Sequence, residues 1–348
     1  HGQAETGKND TTAVFTQAGK IAAVGDSLSD DTTVDDIDPE GKVAINDLYQ
    51  VAFHGRVEIE DGLYDDQFGV VFISDGVETR VAAQEDSNLP DDTPLDDITE
   101  SGGVAINDFD EVAFHGLTGD TKAVFTSDGL AAKVGDILDE STTLQDINEN
   151  GGVAINLFGW VAFHGQTGDF KAVFISDGQT TQMVARVGDI LPDGTTLKSI
   201  LLDGGVAINY LGKVAFGGKD ANGNKAAFTQ AGKEVTEGDT LEDDTILAAF
   251  RGQGEVAIGS GLSGDMVAFH GQAETGKNDT TAVFTQAGKI AAVGDTLSDD
   301  TTVDDIDPAG KVAINNFDQV AFHGRVEIED GLYDDHFGVV FISDGVET

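Results

Sequence analysis

Residues 153–165 read Val-Ala-Ile-Asn-Leu-Phe-Gly-Trp-Val-Ala-Phe-His-Gly, and versions of this phrase start at Val43, Val104, Val206 and Val312, with a looser copy from Val256. A second phrase, of the form Ala-Val-Phe-Thr-x-x-Gly or Val-Val-Phe-Ile-Ser-Asp-Gly, alternates with it from Ala13, Val70, Ala123, Ala172, Ala226, Ala282 and Val339. Such a period implies one supersecondary unit repeated, each copy burying its apolar face on the next. The Val-Ala-Phe motifs begin at Val51, Val112, Val161, Val214, Val267 and Val320, spaced by 61, 49, 53, 53 and 53 residues. This predicts one continuous array over 1–348, with approximate units 1–54, 55–115, 116–164, 165–217, 218–270 and 271–323 and a partial unit 324–348. Residues 1–79 return as 270–348 with six changes, which points to a recent duplication.

Within a unit the spacing predicts four short antiparallel strands. Val-Ala-Ile-Asn is the first and Val-Ala-Phe-His the second, joined by a tight turn such as Leu157-Phe158-Gly159. Ala-Val-Phe is the third and ends at Asp-Gly, a hairpin signal; the segment 184–187 is a fourth. A polar Asp/Thr loop then leads to small apolar anchors, Val34 and Ile37 or Leu197 and Ile200, with at most one or two helical turns over 197–202. In Val51-Ala52-Phe53-His54 the side chains alternate between faces. Phe recurs twice per unit, as at Phe114 and Phe125, giving a layer each unit must bury on a neighbour, while the small Ala of the reverse face lets that neighbour approach. The fold class is all-β: tandem four-stranded antiparallel repeats of about 53 residues resembling β-propeller blades, in an open superhelical array or a closed propeller. Seven copies of the second phrase speak for a ring; a one-strand overlap between the two ends speaks for the open array, which is the expectation here.

Asn156-Leu-Phe-Gly159-Trp-Val-Ala162-Phe163 and Asn209-Tyr-Leu-Gly212-Lys-Val-Ala215-Phe216 resemble the Asn-x-x-Gly-x-x-Ala-Phe tandem repeat of bacterial choice-of-anchor surface proteins. Other copies depart from it: Tyr49, Asp110 and Asp318 replace the Gly, and Gly259 replaces the Asn. The resemblance implies exported, surface-anchored, propeller-like β-proteins with no established activity.

Lys+Arg number 19 against 64 Asp+Glu, a formal charge of −45. That disfavours nucleic acid and anionic membrane surfaces as partners and suits cations. The absence of cysteine removes disulfides and thiolate metal sites, and no apolar run is long enough to span a bilayer. Hard oxygen ligands closely spaced on a loop suit Ca²⁺. The sets with this character are Asp26, Asp30 and Asp31; Asp136, Asp139 and Glu140; Asp239, Asp243 and Asp244; and Asp295, Asp299 and Asp300. Asp61, Asp65 and Asp66 form a further acidic loop, repeated at Asp330, Asp334 and Asp335. None matches an EF-hand, and Asp also favours turns without metal. Ca²⁺ is thus the one cofactor considered, and none is required. His1, His54, His115, His164, His270 and His323 share one repeat position; units so far apart in sequence give these rings no reason to converge, and the reading is structural. Asn9-Asp10-Thr11 and Asn278-Asp279-Thr280 are glycosylation acceptor sequons.

No nucleophile elbow, phosphate loop, His-Glu-x-x-His or cysteine nucleophile is present, so the expectation is not an enzyme. The first functional reading is an extracellular structural protein, a segment of a cell-surface or matrix filament or stalk whose partners are copies of itself or the continuation of its own array. The alternative is a secreted β-propeller binding module for glycan or Ca²⁺ at its acidic loops.

Overall fold

The computed structural model of the protein describes residues 2–5, 10–16, 19–28, 32–38, 43–60, 65–139, 141–252, 255–261, 264–274, 279–297, 301–307, 311–315, 317–329 and 334–343. Their regular structure is β-strand, apart from three single turns of 3-10 helix at Glu100–Gly102, Glu149–Gly151 and Leu202–Gly204. No helix among them is long and apolar enough to cross a membrane. The chain divides into two compact units, one of residues 1–169 and 174–183 and the other of 170–173 and 184–348.

The first unit holds a three-stranded sheet (Gly2–Glu5, Asp10–Thr16, Gly19–Ala23) and two complete blades. One blade runs Val34–Ile37 with Ala44–Ile45, then Val51–Glu60, Asp65–Ser74 and Thr79–Gln84. The next runs Asp97–Ile98 with Val104–Ile106, then Val112–Thr118, Thr121–Thr126 and Gly129–Lys133. The first two strands of a further blade, Asp146–Ile147 with Val153–Ile155 and Val161–Thr167, follow. The second unit repeats the pattern, as in Ser199–Ile200 with Val206–Ile208, Val214–Lys219, Lys225–Thr229 and Gly232–Thr236. The predicted four-stranded antiparallel blade is therefore the building block. Each complete blade starts at the apolar anchor after the polar loop, so the hydrogen-bonded blade, for instance 97–133, is out of phase with repeat units that end at the His.

The first strand of each blade is longer than its sequence signal and is broken. Val104–Ile106 pairs with Phe114 to Val112, and Asp97–Ile98 pairs farther along the same edge with Leu117 and Gly116. At the break the His115 carbonyl accepts a bond from Thr99 N at 2.9 Å, and the single 3-10 turn bulges out. The helical turn expected over 197–202 falls in the same place: Ser199–Ile200 is strand, and the turn is Leu202–Gly204. A Cβ on Gly116 would meet the Asp97 carbonyl and sit 3.2 Å from the Phe125 ring. That close approach of three strands explains why Gly follows the His position in every copy, including Gly218, where Gly217 replaces the His.

The Phe layer is buried as the period requires. Phe114 and Phe125 lie stacked with centroids 5.6 Å apart, and they pack on Ala52, Val71 and Ile73 of the preceding blade. In the second unit Phe269 and Phe284, 5.7 Å apart, pack on Ala215 and Ala227 of the blade before. Fully buried Phe side chains contribute about 1.5–3 kcal/mol each, and aromatic pairing adds to that. The blade needs its neighbour because one four-stranded sheet has no second layer of its own.

Asp65 and Asp66 are not part of a free loop. They pair with Glu60 and Ile59, extending the hairpin into ten-residue strands, and Asp334 and Asp335 do the same with Glu329 and Ile328. The alternation Val57-x-Ile59 continues the period of two past the repeated phrase, and this carries the ladder outward. Asp61 and Asp330 lie outside the described residues.

Candidate functional site

The turn between the first and second strands of each blade is built by one asparagine. Asn107 Oδ1 accepts from Phe109 N at 2.9 Å and from Glu111 N at 3.1 Å. Asn156 does the same for Phe158 N and Trp160 N, both at 3.0 Å, and Asn46, Asn209 and Asn315 repeat it. The third residue after the Asn takes left-handed backbone angles, with φ 75° at Gly159 and 80° at Gly212. Where the Gly is replaced the conformation persists, with φ 65° at Tyr49 and 64° at Asp110 and Asp318. The Asn amide supplies the hydrogen bonds that hold these residues in a region side chains disfavour.

Through its other end the Asn reaches the next blade. In the first unit Asn46 Nδ2 donates to the Asn107 carbonyl at 2.9 Å, and Asn107 Nδ2 donates to the Asn156 carbonyl at 3.1 Å. Asp47 N also donates to Asp108 Oδ1 at 2.9 Å. Three consecutive turns are thereby tied into one row. In the second unit Asn209 Nδ2 donates instead to Asp265 Oδ1 at 2.8 Å, because the next copy has Gly259 where the Asn would stand.

The residue two past the Asn is a large apolar side chain held in solvent. Leu48 is 60% exposed, Phe109 72%, Phe158 67%, Leu211 63% and Phe317 73%. The hydrogen-bonded row of the first unit therefore presents Leu48, Phe109 and Phe158 on three successive turns, with Asp47 beside Leu48 and Asp108 and Asp110 beside Phe109 in sequence. Burial, with the Asp108 charge beside it, pushes the Asp47 carboxyl above its ordinary value. Burial also raises Glu111, against the hydrogen bond from Asn107. Arg80 Nη2 pairs with Asp110 Oδ2 at 3.1 Å. Sequence reading passed over this row because Leu-Phe between an Asn and a Gly, or Asp-Phe between an Asn and an Asp, looks like ordinary turn filling. The available signal was an apolar residue at the same turn position in five copies.

The acid loops read as cation ligands are organised differently. Asp26, Asp136, Asp239 and Asp295 each accept from the backbone nitrogen three residues earlier, Ala23, Lys133, Thr236 and Ala292, at 2.8–2.9 Å. Asp26 and Asp295 also pair with Lys20 and Lys289. Asp139 accepts from Ser141 N at 2.8 Å, Asp244 holds a left-handed turn with φ 65°, and Asp243 bonds the next blade. Among the described residues no group of three or more His, Asp or Glu side chains gathers as a metal site. Asp30, Asp31, Glu140, Asp299 and Asp300 lie outside the described residues, as do the sequon residues Asn9 and Asn278.

The repeated histidines sit in mid-strand rather than at strand ends. His54, His115, His164 and His270 are buried on the face opposite the Phe layer, whereas His323 is exposed and His1 is outside the described residues. Burial drives His270 down to about 4, against the pull of the Asp307 charge and with the nearby His323 adding to the fall.

These features define a class: an all-β tandem-repeat protein of propeller-like blades, carrying an Asn-organised row of exposed apolar side chains. No family model matches the chain, and no curated protein matches it. Among solved structures it is similar to the β-propeller domain of the Trilobed protease from Pyrococcus furiosus, at 9% identity and a TM-score of 0.40, covering 86% of this chain and 82% of that one. It is also similar to the Aleuria aurantia lectin, described as a six-bladed β-propeller, at 9% identity and a TM-score of 0.34, covering 88% and 96%. At these levels the likenesses carry no argument about ligand or chemistry.

Proposed function

We propose that this chain is a non-enzymatic, extracellular binding module whose row of turns contacts an extended partner. The supporting observation is the exposure of Leu48, Phe109 and Phe158 on three turns joined by hydrogen bonds. Water disfavours such side chains, and contiguous exposed apolar surface marks interaction sites. The same position stays exposed at Leu211 and Phe317. A site repeated in five copies of the unit suits a partner that is itself repetitive. The resemblance of the Asn-x-x-Gly-x-x-Ala-Phe copies to choice-of-anchor surface proteins supports placement outside the cell. A purely structural filament segment needs complementary faces along its stacking direction and gives no role to apolar turns.

The test compares the chain with its Leu48→Ser, Phe109→Ser, Phe158→Ser triple variant on an array of extracellular polysaccharides, with light scattering for self-association. Retention of the wild type on a subset of the array, lost in the variant at unchanged melting temperature, is the expected result. Equal retention of both proteins, or none by either together with self-association of both, overturns the proposal in favour of the filament.

A further inference from the structure

We infer that copies of this chain associate head to tail, the Phe15 face of one copy's first sheet seating on the Val340 and Ile342 face of another's last sheet. Residues 1–79 return as 270–348, so each of these faces has a twin elsewhere in the chain, and the twin shows what such a face meets. Val71 and Ile73, on the strand Asp65–Ser74, are 0% and 2% exposed and pack with Phe114 and Phe125 of the next blade. Their counterparts Val340 and Ile342, on Asp334–Ser343, pair in the same register with the neighbouring strand but are 62% and 51% exposed. His54 is buried and its counterpart His323 is exposed. None of the six changes between the copies falls on these residues. Local sequence and pairing being the same, the Phe layer of another blade is what closes this face.

Phe15 shows the converse. Its counterpart Phe284 is fully buried and packs on Ala215 and Ala227 of the blade before, whereas Phe15 is 44% exposed. Val14, on the other side of the same strand, is 1% exposed and packs with Val51 and Phe53, so that sheet is already seated on the blade after it. The two open faces match in kind, an aromatic ring against a Val/Ile surface, which is the contact that Phe114 and Phe125 make with Val71 and Ile73. Joining them takes exposed apolar surface out of water. The faces differ from each other, so the contact is heterologous and leads to a ring or an open chain of copies rather than an isologous dimer. None of these residues belongs to the turn row, so association and partner binding are separable properties. Copies joined in this way bring more turn rows to one repetitive partner, which raises avidity.

The experiment is sedimentation velocity on the full chain at neutral pH over a wide range of concentration. The mean mass is expected to rise with concentration beyond that of two chains. Phe15→Glu, and separately Val340→Glu with Ile342→Glu, are each expected to stay at the mass of one chain, because each lacks one of the two faces. Mixed in equal amounts, the two variants are expected to form a complex of two chains and no larger, since one intact pair of faces remains between them. All three positions are exposed, so each variant is expected to keep the wild-type melting temperature. Ser in place of Glu at the same positions is expected to act alike, which separates lost contact from added charge. A wild type that stays at one chain at every concentration overturns the inference. So does association of either variant alone, which assigns the contact to like faces, or its loss only in the Leu48→Ser, Phe109→Ser, Phe158→Ser variant, which assigns it to the turn row.

Discussion

Asp243 accepts a hydrogen bond from the backbone nitrogen of Lys289 at 2.8 Å, across 46 residues of sequence. Asp193 does the same with Lys233 N at 2.8 Å and Asp91 with Leu130 N at 3.0 Å. Each of these carboxylates also accepts from the backbone nitrogen and the hydroxyl of the Thr two residues on, Thr245, Thr195 and Thr93. The loop leaving one blade is thus clamped to the hairpin of the next. A Cβ at Gly288, Gly232 or Gly129 would collide with the clamping carboxyl. Where the hairpin is longer a hydroxyl makes the link instead: Ser176 Oγ donates to the Ala131 carbonyl at 2.6 Å, and Ser74 Oγ to the Ile21 carbonyl at 3.2 Å.

The clamp makes stability sensitive to acid. Burial raises the Asp243 carboxyl, but the bonds from Lys289 N, Thr245 N and Thr245 Oγ1 outweigh it and hold it below its ordinary value; Asp91 and Asp193 behave alike. With the folded value depressed, this stability is full above the unfolded carboxylate range near pH 4 and is lost as pH falls through the folded value. Asp243→Ala is expected to cost about 1–2 kcal/mol at neutral pH, the lower end for bonds to a charged group because the site is open to solvent. In urea unfolding the variant's deficit should shrink below pH 4. A deficit that stays constant down to pH 2 would show that the carboxylate's charge has no part in the clamp.

Asn107 closes its own turn and bonds the next blade, so Asn107→Ala removes two acceptor contacts and two donor contacts, to Glu111 Oε2 and the Asn156 carbonyl, at a buried position. The expected loss is about 2–3 kcal/mol, set by the buried backbone groups left unpaired. Tyr49→Gly should act in the opposite direction, relieving a left-handed residue at φ 65° by up to about 1 kcal/mol. Thermal melts of the two variants check both signs; a stabilised Asn107→Ala would refute the Asn as turn organiser.

His270 is neutral inside the fold, and neither ring nitrogen has a hydrogen-bond partner among the described residues. The unfolded chain takes up this proton near pH 6.5, whereas the folded ring titrates at about 4. The stability contribution is therefore full above pH 6.5, falls as pH drops, and levels off below 4, with a total loss of about 3 kcal/mol. His270→Leu should flatten the stability profile between those limits. Proton NMR of the wild type should find the His270 imidazole still neutral at pH 5; if that ring titrates near 6.5, the buried neutral ring is wrong.

What the sequence determined by itself was everything that recurs at fixed spacing: the four-stranded blade, the pairing of Phe against the small face of a neighbour, and the all-β class. Periodicity carries these because a strand's faces follow from alternation and a repeat's burial follows from its copies. The Asn-x-x-Gly turn was visible as a motif, yet its use of one amide to close a turn and bond the next blade was not. Only the tertiary structure decided which of many aspartates meets which amide. Asp243 and Asp239 look equally suited to a cation on the page of letters, but one faces a backbone nitrogen 46 residues away and the other its own turn. The same holds for Leu48, Phe109 and Phe158: an apolar letter says nothing about exposure, which is set by where the neighbouring blade ends and water begins.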